Sequence, residues 1–238
     1  MALPIYRATR CFGTGQTSSE RRITTMALTF YYASGSPYAW RVWLALEHKG
    51  IPYELKIMSF DAGDLQKPEY LALNPRHRVP VIVDDGFVLY ESAAIVEYLE
   101  DGWPGEPPLF SGDVRQRALQ RRMVREADQY FAEAMSHLAQ AVLFTPKERW
   151  SEDRIAGACA EIQKELSLWE GAITGDYLAG ALSAADFTLY PQVALALRIA
   201  GRKPGLVAAD LIGPRMTAWT RRMEALPCTQ KTWPPHWE

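Results

Sequence analysis

A change of periodicity constrains this chain more than any other feature. Between Leu28 and Leu99, short apolar runs alternate with stretches of helical spacing; beyond the segment Trp103 to Pro108, only helical spacing remains. Leu28 to Tyr32 is β-branched and aromatic and reads as a strand that breaks at Ser34-Gly35-Ser36-Pro37. Ser36 and Pro37 are then a helix start, because a serine oxygen accepts from orphan N–H groups and proline loses nothing at the first helical position. Ala39, Val42, Trp43 and Leu46 continue that helix until Gly50 and Pro52. Tyr53, Leu55 and Ile57 alternate with Glu54 and Lys56 as a second strand, and Asp61 to Leu73 reads as a short irregular helix ending at Asn74-Pro75. Val79 to Val83 and Phe87 to Tyr90 flank Asp84-Asp85-Gly86, the signature of a tight hairpin. Ser92 is placed to cap a helix whose apolar face holds Ile95, Val96 and Leu99. The order β-α-β-α-β-β-α therefore joins a parallel unit to an antiparallel hairpin.

Everything after the Pro-rich break reads as helix: Val114 to Phe144, Ser151 to Ile173, Ala184 to Ala200 and Pro214 to Ala225. Ser183 and Asp186 form a capping box with Asp in place of Glu, so Asp186 is expected to cap a buried helix rather than catalyse. The expected division is a unit over 26–102, a linker over 103–112 and an all-helical unit over 113–238. Residues 1–25 carry Arg7, Arg10, Arg21 and Arg22 against Glu20, a net of +3. They read as an upstream extension before a start at Met26 or as a transit peptide, not as part of the fold.

Charge narrows the function. The 26 basic and 28 acidic residues give −2, so the chain has no general field for a phosphate backbone, and nucleic acid is not an expected partner. The most apolar stretch, Val193 to Ala200, contains Arg198 and is far too short to span a membrane. Cys11, Cys159 and Cys228 have neither disulfide nor zinc spacing, which points to a reducing cytoplasmic setting and to no metal. Cys159 and Cys228 have no nearby His in the sequence and read as inert or weakly reactive thiols.

Four motifs in this order, Ser34-x-Ser36-Pro37-Tyr38 with Arg41, Asn74-Pro75-x-x-x-Val79-Pro80, Glu91-Ser92 and Ser183-x-x-Asp186, together with the α/β-then-all-α plan, resemble the cytosolic glutathione transferases of the serine type, with a zeta- or tau-like N-terminal motif. The resemblance covers the chain from Met26 onward. It implies an α/β thioredoxin-like N-terminal domain followed by an all-α helical-bundle C-terminal domain, a homodimer, a role in detoxification, and glutathione as co-substrate.

The residue chemistry runs parallel to that implication. A thiol attacks an electrophile only as thiolate. Ser36, at the positive end of its helix, can donate to a sulfur anion, with Ser34, Tyr31 and Tyr32 as substitutes; the plain alternative for Ser36 is an N-cap. The resemblance implies a cis bond at Val79-Pro80 that turns the Val79 backbone toward the cysteinyl unit of glutathione, where the residues alone suggest an ordinary proline at a strand start. Ser92 and its helix N–H groups suit the α-carboxylate of the γ-glutamyl end, and Glu91 suits its ammonium; both also serve as a simple helix start. Arg78 and Lys67 are candidates for the glycyl carboxylate or the γ-glutamyl backbone, or else are solvated charges. Tyr38, Met123, Tyr130, Phe131 and His137 are candidates for a hydrophobic-substrate pocket, or else core. The aromatic tail Trp233 to Trp237 is expected to pack on the body.

The expected reaction is conjugation of glutathione to a small hydrophobic electrophile. A zeta-like glutathione-dependent isomerase is the alternative, although Pro37-Tyr38-Ala39 stands where those members carry Ser-Cys-Ser; a thiol-transferase is disfavoured because Ser36 stands where a cysteine is needed. A non-catalytic binding module that keeps the fold is the reading from a different class.

Overall fold

The computed structural model describes residues 28–105 and 107–237, so the expectations for residues 1–25 and the Met26 start lie outside the described residues. Strand β1 (Leu28–Ala33) is central because Leu28, Phe30 and Tyr32 are all buried. It pairs in parallel with β2 (Tyr53–Met58) and antiparallel with β3 (Val81–Asp84), which pairs antiparallel with β4 (Phe87–Tyr90). The sheet order is β2-β1-β3-β4. Helix α1 (Pro37–Lys49) crosses over between the parallel strands. It starts where Ser36 Oγ accepts from Ala39 N at 3.2 Å and stops at Gly50, which takes the left-handed φ of 63° that a residue without Cβ tolerates.

Several local expectations shift. The hairpin turn is two residues, Asp85 and Gly86 at φ 48° and 81°, the both-positive pattern of a type I′ turn; Asp84 belongs to the ladder opposite Phe87. β3 begins at Val81 rather than Val79, since Pro80 has no N–H to give to a ladder. Ile57 is 69% exposed, against the alternation, because β2 is an edge strand and Met58 takes the partly buried place. The Asp61 to Leu73 segment is a 3₁₀ turn (Asp64–Gln66) followed by the single turn α2 (Pro68–Leu71). Ser92 does not cap α3 (Ser92–Gly102). It is the first helical residue, Glu91 occupies the cap position without a side-chain bond, and the Ser92 hydroxyl accepts from Arg41 Nη2 instead.

The helical half is a thioredoxin-like sheet's neighbour rather than its continuation. Val114 to Leu143 is one run made of α4 (Val114–Glu126), a π turn (Ala127–Phe131), α5 (Ala132–Leu138) and a second π turn (Ala139–Leu143). Helix α6 (Glu152–Ala172) is capped by Ser151, and α7 (Ala184–Ala200) is buried along most of its length. α8 (Pro214–Glu224), α9 (Pro227–Lys231) and a last turn (Pro235–Trp237) finish the chain. Asp186 is structural as expected: fully buried, it accepts from Ser183 N, Leu178 N and Trp219 Nε1, each at 2.9 Å, which fixes the entry to α7 and the place of α8. α1 packs against α7 through Trp40 on Tyr190 and His48 on Phe187. Among the described residues, no helix is long and apolar enough to cross a membrane.

Candidate active site

A cleft of about 460 Å³ opens where α1, the loop before β3, the start of α3 and the α4 run converge. Its walls hold Tyr38, Arg41, Arg78, Val79, Pro80, Glu91, Ser92, Arg125 and Asp128. The loop leading to Pro80 is held from within: Asn74 Nδ2 and the Tyr70 hydroxyl donate to Arg78 O at 2.8 and 2.7 Å, and Arg76 N donates to Asn74 Oδ1 at 2.9 Å. The Val79-Pro80 peptide is cis.

On the facing wall, Glu91 lies at φ 72°, a region that costs a residue with a side chain of order 1–3 kcal/mol and that the surrounding fold must therefore enforce. Ser92, Ala93 and Ala94 line the cleft next to it, so the N–H groups of the first turn of α3 open into this space, a favourable place for an anion. Arg41, almost fully buried, ties the walls together. Its Nη1 donates to Asp128 Oδ2 at 2.9 Å and to Thr188 Oγ1 at 3.2 Å, and its Nη2 to Ser92 Oγ. The cleft thus contains the carboxylates of Glu91, Glu97 and the Arg41-paired Asp128, cationic Arg78 and Arg125, an exposed helix N-terminus, and a buried arginine that fixes the serine beginning that helix.

Ser36 is not among the residues that line the cleft; it stands two residues before Tyr38, in a separate crevice with Tyr32, Gly35, Trp40, Pro234 and Trp237. Its oxygen accepts from Ala39 N, which leaves its O–H free to donate outward; capping and anion binding are compatible in one hydroxyl. Of the substitutes, Ser34 shares this loop and contacts His236. Tyr32 is buried against Trp43, its pKa raised by that burial, and its hydroxyl donates to Ser34 Oγ at 3.5 Å. Tyr31 faces away, into a separate depression with Tyr70 and Lys67. Lys67 is not brought to the cleft. It pairs with Asp64 at 2.6 Å in that depression, which takes its charge out of the set.

The expected hydrophobic pocket is largely corrected. Tyr38 does line the cleft, its ring 5.7 Å from the Arg41 guanidinium carbon and its pKa raised chiefly by burial. Met123 and Phe131 are sealed in the core. Tyr130 faces a different groove, of about 440 Å³, between α4 and α6 beside Leu168 and Trp169. His137 stands on the outer surface and pairs with Glu161 at 2.6 Å, which raises its pKa. Helical rotation explains all four. Positions 123, 127 and 131 share the core-facing stripe, whereas 125 and 128, three residues apart, face the cleft. Arg125 and Asp128 were not singled out in the sequence; a carboxylate and a guanidinium at that spacing were the available signal. Asn74 and Arg41 belonged to recognised motifs, but their partners could not be read from them.

Cys159 and Cys228 are free and buried, and burial raises both thiols. Among the described residues, no cluster of three His, Cys, Asp or Glu side chains could hold a metal ion.

The model for the glutathione S-transferase N-terminal domain matches residues 35–101. The chain is 33% identical over 218 residues to glutathione S-transferase 4 of Zea mays, covering 88% of this chain and 93% of that one. Over 99 residues it is 46% identical to the maleylacetoacetate isomerase of Pseudomonas aeruginosa, covering 40% of this chain and 45% of that one. The solved structure of a glutathione S-transferase from the Antarctic clam Laternula elliptica superposes with a TM-score of 0.75 at 31% identity, covering 89% of this chain and 94% of that one.

Proposed function

The chain belongs to the glutathione S-transferase family, and on that premise we propose how its cleft holds and activates glutathione. The protein is a glutathione transferase, an enzyme that raises the thiolate fraction of glutathione for attack on an electrophilic carbon. The γ-glutamyl α-carboxylate sits on the first turn of α3, taking N–H groups there and the Ser92 hydroxyl, and the adjacent ammonium pairs with Glu91. The cysteinyl backbone pairs with the main chain of Val79 beside cis-Pro80 as one more strand at the sheet. Arg78 takes the glycyl carboxylate. This order puts the sulfur at the N-terminus of α1, where the Ser36 O–H donates to the thiolate and the helix dipole favours its charge. The thiolate then forms a C–S bond to the acceptor as the leaving group departs with its bonding pair, or as the π pair of an activated double bond shifts toward its electron-withdrawing group and takes up a proton from solvent.

The observation that carries this reading is the convergence, in one cleft, of the Val79-Pro80 turn, Glu91 and the open start of α3, with Ser36, whose oxygen caps α1, two residues before the cleft-lining Tyr38. Ultraviolet titration of the bound thiol tests it. Ser36→Ala is expected to raise that pKa and to slow conjugation by about 10- to 100-fold, a loss of roughly 1.4–3 kcal/mol in thiolate and transition-state stabilisation. An unchanged titration with unchanged turnover removes Ser36 from the mechanism.

The acceptor in this reading is a small hydrophobic electrophile that packs beside Tyr38, which suits a detoxifying role. Residues 26–102 form the glutathione-binding unit, 103–112 the linker and 113–238 the helical unit. We place the enzyme in the cytoplasm as a homodimer. Free buried cysteines support the first, and the exposed side chains of Phe87, Tyr130 and Leu168 support the second, which sedimentation will test. The match to the Pseudomonas isomerase over the N-terminal segment favours one second reading, thiol addition followed by elimination on an unsaturated acid. An isomerase returns free glutathione, so mass balance of glutathione over a panel of acceptors decides between the two.

A further inference from the structure

The chain ends by folding over the loop that begins α1. Trp233 and Trp237 stack edge-on against Trp40, with centroids 5.8 and 5.2 Å away, and Arg198 donates to Trp237 O and His236 O at 3.1 and 3.2 Å. These contacts set the His236 ring against Gly35 and bring its Nδ1 to 2.5 Å from Ser34 Oγ.

The tautomer follows from the other ring nitrogen. Trp237 Nε1 can only donate, and it does so to His236 Nε2 at 2.9 Å; the ring proton therefore sits on Nδ1, which donates to Ser34 Oγ. Burial, with Arg198 and Arg202 nearby, lowers the His236 pKa and favours this neutral form. The Tyr32 hydroxyl lies 3.5 Å from Ser34 Oγ on its other side. With the His236 Nδ1–H donating to its oxygen, Ser34 keeps its own hydrogen to give, two residues before Ser36 on the same loop.

We propose that His236 is a positioning residue of the thiol site, holding the Ser34 hydroxyl as a second O–H donor to the thiolate that Ser36 binds. The inference rests on the reading that glutathione occupies this cleft with its sulfur beside Ser36. It makes the last turn of the chain part of the catalytic centre, and it distinguishes His236 from a residue that merely anchors the tail: an anchor would serve equally well with its donor removed, whereas a positioning residue would not.

The experiment titrates the thiol of bound glutathione in the full-length protein and in His236→Phe, His236→Asn, Ser34→Ala, the Ser34→Ala/His236→Phe double variant and Ser36→Ala. His236→Phe and Ser34→Ala are each expected to raise the thiol pKa by about half a unit to one unit and to lower kcat by roughly 3- to 10-fold near neutrality, with little change in the KM for glutathione. The double variant should be no worse than either single one, because both remove the same donor. His236→Asn, whose amide can replace the Nδ1 donor, should recover most of the loss. A His236→Phe enzyme with unchanged thiol pKa and turnover, or a double variant whose losses simply add, overturns the proposal. Tryptophan fluorescence of the tail cluster reports whether His236→Phe has released the tail; if it has, Ser34→Ala and His236→Asn decide. An effect of Ser36→Ala with none from Ser34 or His236 sinks this inference alone, whereas a wild-type protein that fails to bind glutathione sinks both it and the reading beneath it.

Discussion

Trp40 and Arg41 are neighbours in α1, yet they hold the helical half against the sheet by opposite means. Trp40 works by shape. It is buried among Tyr190, Trp233 and Trp237, with one hydrogen bond from its indole to Thr232 Oγ1 at 2.9 Å. Arg41 works by charge, spanning Asp128, Thr188 and Ser92 from a position almost without solvent. The apolar side seals the crevice beside Ser36, while the polar side spaces the walls of the cleft. Sealing needs area and tolerates substitution by other apolar groups. Spacing a polar cleft needs fixed directions, and a buried charge supplies them at the risk of a large penalty if its partner is lost.

Breaking the charged side is accordingly the largest expected effect. Arg41→Met leaves the Asp128 carboxylate without its cation and the Ser92 hydroxyl without its donor, and should cost about 3–5 kcal/mol in a denaturant melt. It should also weaken glutathione binding, because Ser92 then loses the donor that holds its hydroxyl. Equal stability and affinity in the variant would mean that Arg41 packs without bracing the cleft. The apolar side is expected to yield less. Trp40→Phe keeps most of the buried area but leaves Thr232 without the indole, so about 1–3 kcal/mol should be lost, with kcat falling more than the KM for glutathione changes.

A buried charge can also be held without a counter-ion, and Asp186 sharpens the comparison from that direction. Neutral donors surround it, yet burial pushes its pKa up to about 6 from the usual carboxylate value. A carboxyl whose pKa is higher in the folded state binds its proton more tightly there. Its stabilising contribution is therefore complete below the unfolded pKa near 4 and is lost as pH rises through 6. Melting temperature should fall between those limits more steeply in the wild type than in Asp186→Asn, which has no such proton to lose; parallel curves would show that the hydrogen bonds from Leu178 N, Ser183 N, Ser183 Oγ and Trp219 Nε1 fully offset the burial.

Local features made the fold legible. The Asp85-Gly86 turn, the Ser36-Pro37 start of α1, and Ser183 with Asp186 before α7 each act within a few residues, where sequence spacing and geometry coincide. Glu91, Ser92, Val79 and Pro80 were legible as cleft residues only through the family resemblance, because taken alone they read as a helix start and an ordinary proline at a strand start. The side chains contributed by the α4 run were not. Met123, Tyr130, Phe131 and His137 all have the composition of a substrate pocket, but the rotation of a helix about its own axis is set by what it packs against, and the π turn at Ala127–Phe131 displaces its phase as well. The contact of His236 with Ser34 joins residues 202 positions apart, and no local pattern encodes it.

The smallest effect is expected farthest from both sides of α1. His137 and Glu161 pair across α5 and α6 at 2.6 Å, with both side chains about half exposed (54% and 51%). Hydrogen bonding to Glu161, followed by its charge, raises the His137 pKa, so the pair's contribution is present while the ring is protonated, below the ordinary histidine value, and is lost as pH rises through the raised one. Solvent screening limits such a pair to about 0–1 kcal/mol. His137→Ala should therefore shift the melting temperature slightly at mildly acidic pH, less at pH 8, and leave turnover and glutathione affinity at wild-type values. A fall in turnover would place His137 in the acceptor pocket after all and would require α5 to rotate when substrate binds, which the Asp128–Arg41 bridge, one turn earlier in the same helical run, opposes.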